Sequence, residues 1–168
     1  TGGGGESYDG ENNAPLNIGE VEPNNVRTQA QYLTLGNGPG QNSVVNVNGI
    51  TSNLFDLDYY AFDLKKGDIL DVRITTTGGL QPGLGLYNSQ GRELLYSRGL
   101  FYPPAVGRPI PDKSPRFTTG NATLSYIIDT DGRYFMSVAD ANLAYSLNLR
   151  TYRPTIEQEP IGTKQILF

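Results

Sequence analysis

Apolar and polar residues alternate most clearly between residues 56 and 76, on both sides of a short polar turn at residues 65–68. The apolar positions of this alternation are Tyr60, Phe62 and Leu64 before the turn, and Leu70, Val72 and Ile74 after it. A period of two residues with one apolar face is typical of a strand that covers a core on one side and meets water on the other. The pattern therefore predicts two antiparallel strands joined as a β-hairpin.

The same alternation recurs in six further segments, so that about eight strands are expected in all. These segments are residues 44–50, 83–88, 93–97, 122–128, 134–139 and 145–151. In the last three, the predicted inward rows are Leu124, Tyr126 and Ile128, then Tyr134, Met136 and Val138, then Tyr145, Leu147 and Leu149. Asp131-Gly132 is expected to join the first two of these strands in a hairpin turn. About eight short strands are enough for two packed sheets, so the predicted fold class is an all-β, antiparallel β-sandwich.

One domain accounts for most of the chain, because 168 residues can bury a substantial core but leave little room for a second domain. We assign residues 20–152 to this domain. Residues 1–19 are rich in Gly, Asn and acidic residues and are expected to form a flexible lead-in. Residues 153–168 have a polar spacer and an apolar end, which indicates a linker running toward a following domain that is absent from the chain.

Near the start of the domain, Asn24 or Asn25 is expected to cap a helical turn whose inner side carries Val26, Ala30 and Leu33.

The segment between Arg98 and Asn121 differs from the rest, since it is too rich in proline for regular structure and too apolar for a free linker. Loops of this length are uncommon unless they have a function. The interpretation we favour is an Ω-type loop whose Phe101, Tyr102, Ile110 and Phe117 close one end of the core. A loop that grips a ligand and a contact with a neighbouring domain remain open as alternatives.

Two absent residue types narrow the possible chemistry. The chain has no His and no Cys, which excludes Ser-His-Asp and Cys-His nucleophilic systems, zinc sites built on thiolates or imidazoles, and disulfide bonds. Any metal must therefore be held by oxygen ligands. That restriction suits Ca²⁺ and suits zinc, copper and iron poorly.

The charge of the chain excludes two classes of partner. The net charge is −4 and the sequence pI is about 4.8, so we expect neither nucleic-acid binding nor attraction to an anionic membrane. No apolar run is long enough to span a bilayer, and the first residues lack the basic and apolar regions of a signal peptide. Either such a peptide was removed, or the chain is a piece of a longer protein.

Oxygen-bearing side chains collect ahead of the predicted sheet and again where one of its strands begins. The candidate ligands are Glu20, Glu22, Asn24 and Asn25 in the first group, and Asp56 and Asp58 in the second, at the rim of the sheet. Ca²⁺ takes about six to eight oxygens at flexible distances, including carboxylates and backbone carbonyls. These residues are therefore the candidate Ca²⁺ site. The alternative is that the two glutamates are merely solvated and that Asp58 caps a turn.

The segment Asp129-Thr130-Asp131-Gly132 approaches two known signatures and matches neither. An aspartic protease signature needs Gly directly after Asp-Thr, and a calcium hand loop needs Gly in its sixth position, where this segment has it in the fourth. A turn followed by a corner tyrosine, Tyr134, whose hydroxyl bonds backward to the turn, explains the segment better. Paired carboxylates could also support glycoside hydrolysis, for which the chain offers Asp56, Asp58, Asp63, Asp68 and Asp71. The alternation puts most of these aspartates on the wet face, where turn or surface roles suffice. We therefore expect no enzymatic activity.

Tyrosine is abundant, with 11 residues, and jelly rolls often present a tyrosine-lined face to an extended polymer. The candidate ligand face consists of Tyr59, Tyr87, Phe135 and Tyr152, which fall on the side opposite the core rows. Alternatively these residues cover a sheet edge or contact a partner domain. A register error of one residue would bury them instead.

Several weak motifs occur in a fixed order from Glu20 to Arg150. They are Glu-x-Glu-Pro-Asn-Asn, Asp-x-Asp-Tyr-Tyr-x-Phe-x-Leu-x-x-Gly-Asp, Leu-x-Leu-Tyr-Asn-x-x-Gly, Asp-Gly-Arg-Tyr-x-x-x-Val and Tyr-x-Leu-x-Leu. In this order the chain resembles the bacterial pre-peptidase C-terminal domain family, to which the collagen-binding modules of clostridial collagenases are related in fold. The resemblance implies a jelly-roll-like sandwich carried by a secreted bacterial protease.

The resemblance also implies a function and a metal site. Members of the family are accessory modules that are cleaved off or retained for targeting or substrate engagement. In the collagen-binding modules, an acidic segment before the sandwich and aspartates at the start of a strand hold Ca²⁺, which matches Glu20, Glu22, Asn24 or Asn25, and Asp58. Phe55 stands where the relatives have an aspartate, so Asp56 could substitute only if the backbone shifts.

The predicted function is thus a non-catalytic accessory module of a secreted, extracellular bacterial peptidase. Its expected partners are a protein substrate or surface polymer and an adjacent catalytic domain in the same chain. The alternative is a carbohydrate-binding module of an extracellular protein.

Overall fold

The computed structural model describes residues 15–36, 38–52, 56–76, 82–98, 117–118, 121–139 and 144–155. These residues form eleven strands and one short 3₁₀ helix, Arg27–Gln29. In chain order the strands are β1 (Leu16–Gly19), β2 (Gln31–Tyr32), β3 (Gln41–Ile50), β4 (Asp58–Leu64), β5 (Ile69–Thr76), β6 (Gly83–Tyr87), β7 (Glu93–Arg98), β8 (Phe117–Thr118), β9 (Asn121–Ile127), β10 (Gly132–Ala139) and β11 (Ala144–Arg153).

The strands pack as two sheets. The six-stranded sheet has the order β1-β3-β11-β5-β9-β8, and the five-stranded sheet has the order β2-β4-β10-β6-β7. All pairs are antiparallel except β1 with β3 and β2 with β4. The predicted all-β, antiparallel, jelly-roll-like sandwich is confirmed, and the eight predicted strands are joined by three short ones, β1, β2 and β8.

The core lies between the sheets and is built from the predicted inward rows. Every residue of these rows is at most 3% exposed. The rows are Tyr60, Phe62 and Leu64; Leu70, Val72 and Ile74; Leu124, Tyr126 and Ile128; Tyr134, Met136 and Val138; and Tyr145, Leu147 and Leu149. Burying one large apolar side chain stabilises a fold by roughly 1.5–3 kcal/mol. These rows therefore supply the main driving force for closing the sandwich.

The hairpin predicted for residues 56–76 is wrong. β4 belongs to the five-stranded sheet and β5 to the six-stranded sheet, so the turn at residues 65–68 carries the chain from one sheet to the other. The turn is held by Asp68, whose amide donates to the Lys65 carbonyl at 2.9 Å, and by Gly67, whose amide donates to the Ile128 carbonyl at 2.7 Å. The turn at Asp131-Gly132 likewise connects β9 and β10 across the sandwich. An alternating pattern identifies the inward face of a strand but not the sheet to which the strand belongs.

The helical turn after Asn25 differs from its prediction. The 3₁₀ helix begins after Val26, an extended residue, and no side chain caps it. Val26 is 48% exposed, and of the three predicted inward residues only Leu33 lies in the core. Asn24 and Asn25 are instead used in side-chain contacts described below.

Parts of three predicted segments can be located. Residues 16–19 of the predicted lead-in form β1, which pairs with β3, while residues 1–14 lie outside the described residues. Of the segment 98–121, only its two ends and the short strand β8 are described, so its predicted loop structure stays a prediction. The linker residues 156–168 also lie outside the described residues.

The predicted corner tyrosine is confirmed, since the Tyr134 hydroxyl donates to the Thr130 carbonyl at 2.6 Å. Among the described residues, no helix has the length and apolar character needed to cross a bilayer.

Candidate functional site

Three carboxylates meet at one end of the sandwich. Glu20 and Glu22 follow β1, and Asp58 begins β4; one oxygen from each lies within 4.8 Å of the other two. Glu20 is fixed by its backbone, since its amide donates to the Asn48 carbonyl at 2.9 Å. Its side chain is fixed as well, since Oε1 accepts from the Ile50 amide at 2.8 Å. The pairing of β1 with β3 therefore carries the acidic segment to the start of β4.

Asn24 lies among these carboxylates and is completely buried. Its backbone carbonyl accepts from the Tyr59 amide at 2.9 Å. With its side-chain nitrogen toward the acids, Asn24 donates to Asp58 Oδ1 at 3.1 Å and to Glu22 Oε2. Turned the other way, its amide oxygen joins the carboxylate oxygens. One buried side chain can therefore either hydrogen-bond the acids or act with them as a ligand.

Asp58 is completely buried and accepts a hydrogen bond from the Tyr145 hydroxyl at 2.6 Å. Because that proton is used, the Tyr60 hydroxyl donates to the Tyr145 oxygen, also at 2.6 Å. Burial raises the pKa of Asp58 to about 8; the Tyr145 hydrogen bond opposes the rise and the nearby Glu20 adds to it. Burial also raises the pKa of both tyrosines, so their hydroxyls stay protonated. Near neutral pH, Asp58 thus favours its protonated form until a cation compensates its charge.

Gly49 on β3 provides the space for this cluster. A Cβ at residue 49 would lie 2.5 Å from the Tyr145 hydroxyl oxygen and would also collide with Glu20 Oε1. Any larger residue would displace the groups that surround Asp58. The sequence analysis missed this residue, and its signal is the single glycine within the inward row of β3.

The other two predicted ligands lie beside the cluster rather than in it. Asp56 Oδ2 accepts from the Ser52 amide at 2.5 Å and from the Ser52 hydroxyl at 2.7 Å. Asn25 donates to Asp56 Oδ1 at 2.9 Å when its amide nitrogen faces that carboxylate. The structure therefore brings together Glu20, Glu22, Asn24 and Asp58, whereas Asn25 and Asp56 bond to each other. Phe55 is outside the described residues.

Three of the converging side chains are carboxylates, and Asn24 adds a fourth oxygen when its amide oxygen faces them. This set suits a hard cation such as Ca²⁺, whose ligands are carboxylate and amide oxygens together with backbone carbonyls and water. Asn24 is buried among these carboxylates, and the space at Gly49 admits Glu20 Oε1 and the Tyr145 hydroxyl that donates to Asp58. Glu20, Glu22, Asn24 and Asp58 are therefore the residues that could hold the ion.

Three of the four predicted aromatic residues share the outer face of the five-stranded sheet. Phe135 pairs with Tyr87 across β10 and β6, and the rings of Tyr59 and Tyr87 are 6.2 Å apart between centroids. The Arg27 guanidinium lies 5.4 Å from the centroid of the Phe135 ring. We call Tyr59, Tyr87 and Phe135 the aromatic face. Tyr152 lies on the other sheet, on β11 between Asn42 and Ile69, and so is not part of this face.

Two glycines shape the aromatic face, and the sequence analysis did not use them. A Cβ on Gly85 would lie 2.6 Å from the Tyr87 hydroxyl oxygen. A Cβ on Gly83 would collide with the Tyr96 hydroxyl oxygen. The two tyrosines therefore reach over the glycines and lie along the sheet. The signal was the pair of outward glycines in β6, because an outward glycine leaves room for a neighbouring ring.

Comparisons with known proteins give similarity of fold only. No family model matches the sequence, and no curated protein matches it. The chain is similar in structure to the pre-peptidase C-terminal domain of a collagenase from Bacillus anthracis, with 12% identity over 71% of this chain and 91% of that chain and a TM-score of 0.46. It is also similar to PliG, a periplasmic inhibitor of g-type lysozyme from Aeromonas hydrophila, with 12% identity over 82% and 99% of the two chains and a TM-score of 0.44.

A third similar structure is CorA, a surface-associated copper-binding protein of Methylomicrobium album BG8, with 11% identity over 84% of this chain and 100% of that chain and a TM-score of 0.42.

The opposite end of β4 holds a buried ion pair that the sequence analysis also missed. Arg153 donates from Nε to Asp68 Oδ1 at 2.8 Å and from Nη2 to Asp68 Oδ2 at 2.9 Å. Asp68 is completely buried, while the Arg153 side chain is 21% exposed. The Lys65 amide also donates to Asp68 Oδ2, at 2.8 Å. Asp68 was expected to have a turn or surface role, but this carboxylate fastens the end of β11 to the turn before β5.

Proposed function

We propose that this chain is a non-catalytic accessory module of a secreted bacterial peptidase, that it is stabilised by Ca²⁺, and that it engages a protein substrate or a surface polymer. The observation that carries the proposal is the convergence of Glu20, Glu22 and Asp58 around the buried Asn24 amide. Like charges held this close, with one of them buried, destabilise the folded state unless a cation or a proton compensates them.

In this proposal Glu20, Glu22, Asn24 and Asp58 hold the ion. Ca²⁺ supplies the positive charge that these residues lack, and it fastens the segment after β1 to the start of β4. Because the ligands come from segments far apart in the sequence, ion binding is coupled to the folded state. Calcium sites of extracellular modules have dissociation constants of about 10⁻⁴–10⁻³ M, so a site with few protein ligands is consistent with the proposed extracellular location.

The aromatic face is the proposed contact surface for the polymer. Its rings lie on three adjacent strands, and tyrosine combines a large apolar ring with a hydroxyl that can hydrogen-bond. The Tyr87 hydroxyl is 3.2 Å from the Ser137 hydroxyl, which fixes the ring in place before a ligand arrives. An extended protein chain can stack on such a face without a deep cleft.

A pull-down on insoluble polymers tests this function. Casein and collagen are compared with an insoluble polysaccharide, each in calcium and in chelator. We expect retention on a protein polymer, loss of retention when Tyr59 and Tyr87 are both changed to Ala, and no loss with the matched control Tyr152→Ala on the other sheet. Circular dichroism checks that each variant is folded.

The outcomes of the pull-down separate the proposal from its alternative. Retention on the polysaccharide alone, lost in the Tyr59→Ala, Tyr87→Ala variant, would instead identify a carbohydrate-binding module that uses the aromatic face. Retention on neither class of polymer would contradict the proposed engagement of a substrate or surface.

A further inference from the structure

We propose that the outer face of the six-stranded sheet holds a second binding site, a groove that accepts a neutral glycan chain. The groove crosses β3, β11 and β5 and has a volume of about 380 Å³. It lies on the other sheet from the aromatic face, and its lining includes Gly49 and Tyr145, which border the carboxylate cluster. A glycan bound here would be a further ligand beside the proposed ion site.

The two walls of the groove differ in chemistry. One wall is the cross-strand row Asn48, Ser146 and Thr75, with amide and hydroxyl groups. The other is formed by Ile50 and Ala144, which pair in the next outward row. Ile50 is 56% exposed, so its apolar side chain is accessible to a ligand. Among the described residues, those that line the groove carry no charge.

A sugar ring fits such a pair of walls because it combines an apolar C–H face with hydroxyl edges. The Ser146 hydroxyl donates to Asn48 Oδ1 at 2.9 Å, which leaves the amide N–H groups of Asn48 to meet a ligand. Ile50 on the opposite wall can contact the C–H face. A small number of fixed polar groups next to an apolar surface is the usual composition of a ligand site.

A second row of amides lies beside the groove, one outward row further along β3 and β11. Asn148 donates to Asn46 Oδ1 at 2.5 Å, and Asn46 donates to Asn17 Oδ1 at 2.9 Å. Each of these bonds uses only one of the two N–H groups of the donating amide. The remaining donors repeat at the strand spacing of about 4.8 Å, which is close to the length of one pyranose unit. The face therefore offers a regular set of donors to a chain of sugars.

A peptide fits the groove less well than a glycan. The groove lies at one end of three neighbouring strands, where β3 and β5 end and β11 begins. The backbone groups of β11 are paired with β3 on one side and β5 on the other. A peptide therefore cannot add here as a further strand, which is the usual way in which an extended peptide binds a sheet. A ligand must bond to side chains with groups of its own, and a polyol has many of these.

An NMR titration of the full chain, with calcium present throughout, tests the groove. Cellohexaose, xylohexaose and chitohexaose are the probes, and a proline-rich peptide serves as the comparison. We expect saturable shifts centred on Asn48, Ile50 and Ser146 with at least one glycan. Ser146→Trp, which fills the groove, should weaken this binding at least about tenfold, equal to about 1.4 kcal/mol. Arg150→Trp, an exposed position on the same strand and face, should leave it unchanged.

Four results would overturn the proposal. The first is the absence of saturable shifts with all three glycans, and the second is shifts centred on Tyr59 and Tyr87 instead. The third is an equal loss with Ser146→Trp and Arg150→Trp while both variants keep their melting temperatures. The fourth is binding of the peptide but not of the glycans in the groove, which would show the chemical class to be wrong.

Discussion

Two buried aspartates at opposite ends of β4 are neutralised in different ways. Asp58 and Asp68 are both completely buried. Asp68 has a cation of its own in the chain, the guanidinium of Arg153, in a two-point contact. Asp58 has a tyrosine hydroxyl, an amide and two further carboxylates around it. Among its described neighbours, none brings a positive charge.

The comparison explains why only one end of the sandwich is a candidate metal centre. A buried carboxylate is stable when it is paired with a cation or protonated. At the Asp68 end, the compensating cation is Arg153 of the same chain. This ion pair holds the turn before β5 against the end of β11. The Asp58 end gathers more negative charge than it compensates, so we infer that its cation comes from outside.

The largest effect is expected at the Asp68 end. Arg153→Gln leaves a buried carboxylate without its cation, which costs about 3–5 kcal/mol of the free energy of unfolding. Urea unfolding measures the loss, which should be the same with calcium and with chelator. The double variant Asp68→Asn, Arg153→Gln is the control, and it should lose less than the sum of the two single losses. A loss below about 1 kcal/mol, as for an exposed pair, would contradict the account.

Asp58→Asn should separate ion binding from folding. An amide resembles the protonated acid that burial favours, so in chelator the variant should stay within about 1 kcal/mol of the natural chain. At calcium a hundredfold above its dissociation constant, the natural chain should gain about 2.7 kcal/mol, and the variant should gain almost nothing. Calorimetric titration with CaCl₂ measures the binding directly. Equal calcium binding by both proteins would remove Asp58 from the site.

Gly49→Ala should affect the same end by crowding it. The added methyl collides with the groups around Asp58, and overpacking of this kind costs about 1–3 kcal/mol. Calcium binding should weaken as well, since Glu20 must move. Gly19→Ala is the matched control, because a Cβ there meets nothing within 4 Å. If both variants bind calcium like the natural chain, the space at Gly49 has no part in the site.

The exposed pair of Asp63 and Arg133 should give the smallest effect. Arg133 donates to Asp63 Oδ1 at 2.8 Å, and its hydrogen bond holds the pKa of Asp63 below the ordinary value of 3.8. The stabilisation is therefore present above pH 3.8 and is lost as the pH falls through the lower, folded-state value. Asp63→Asn should cost less than about 1 kcal/mol near neutral pH, and the difference should shrink as the pH falls below the ordinary value of 3.8 and through the lower, folded-state pKa. A difference that grows on acidification would have the wrong sign.

Much of the fold could be predicted from alternation alone, because each strand has one wet and one buried face. The inward rows of β4, β5, β9, β10 and β11 followed directly. The partner of each strand could not be predicted, since a period of two is the same in either sheet, and the assignment of β4 and β5 to one hairpin failed for this reason. The pairing of β1 with β3 also has no local signal, because it depends on contacts distant in sequence.

The candidate site was predicted in part. The ligand types were recognisable, and Glu20, Glu22, Asn24 and Asp58 do meet. The alternation also held information that was not used: Asp58 is in phase with Tyr60 and Phe62, and Asp68 is in phase with Leu70. Both carboxylates were thereby on the inward side, although Asp58 was expected at the rim and Asp68 in a turn or surface role. An acid in phase with a core row is a signal for a buried partner.

The most direct test of the central inference is the melting temperature of the natural chain in calcium and in chelator, with magnesium as the control ion. We expect saturating Ca²⁺ to raise the melting temperature by about 5–10 °C, which corresponds to a gain of roughly 2.7 kcal/mol in a chain of this size. Mg²⁺ should have a much smaller effect, because it requires a stricter octahedral geometry and gives up its waters reluctantly. A shift below about 1 °C at saturating Ca²⁺ would contradict the inference that the Asp58 end takes its cation from outside.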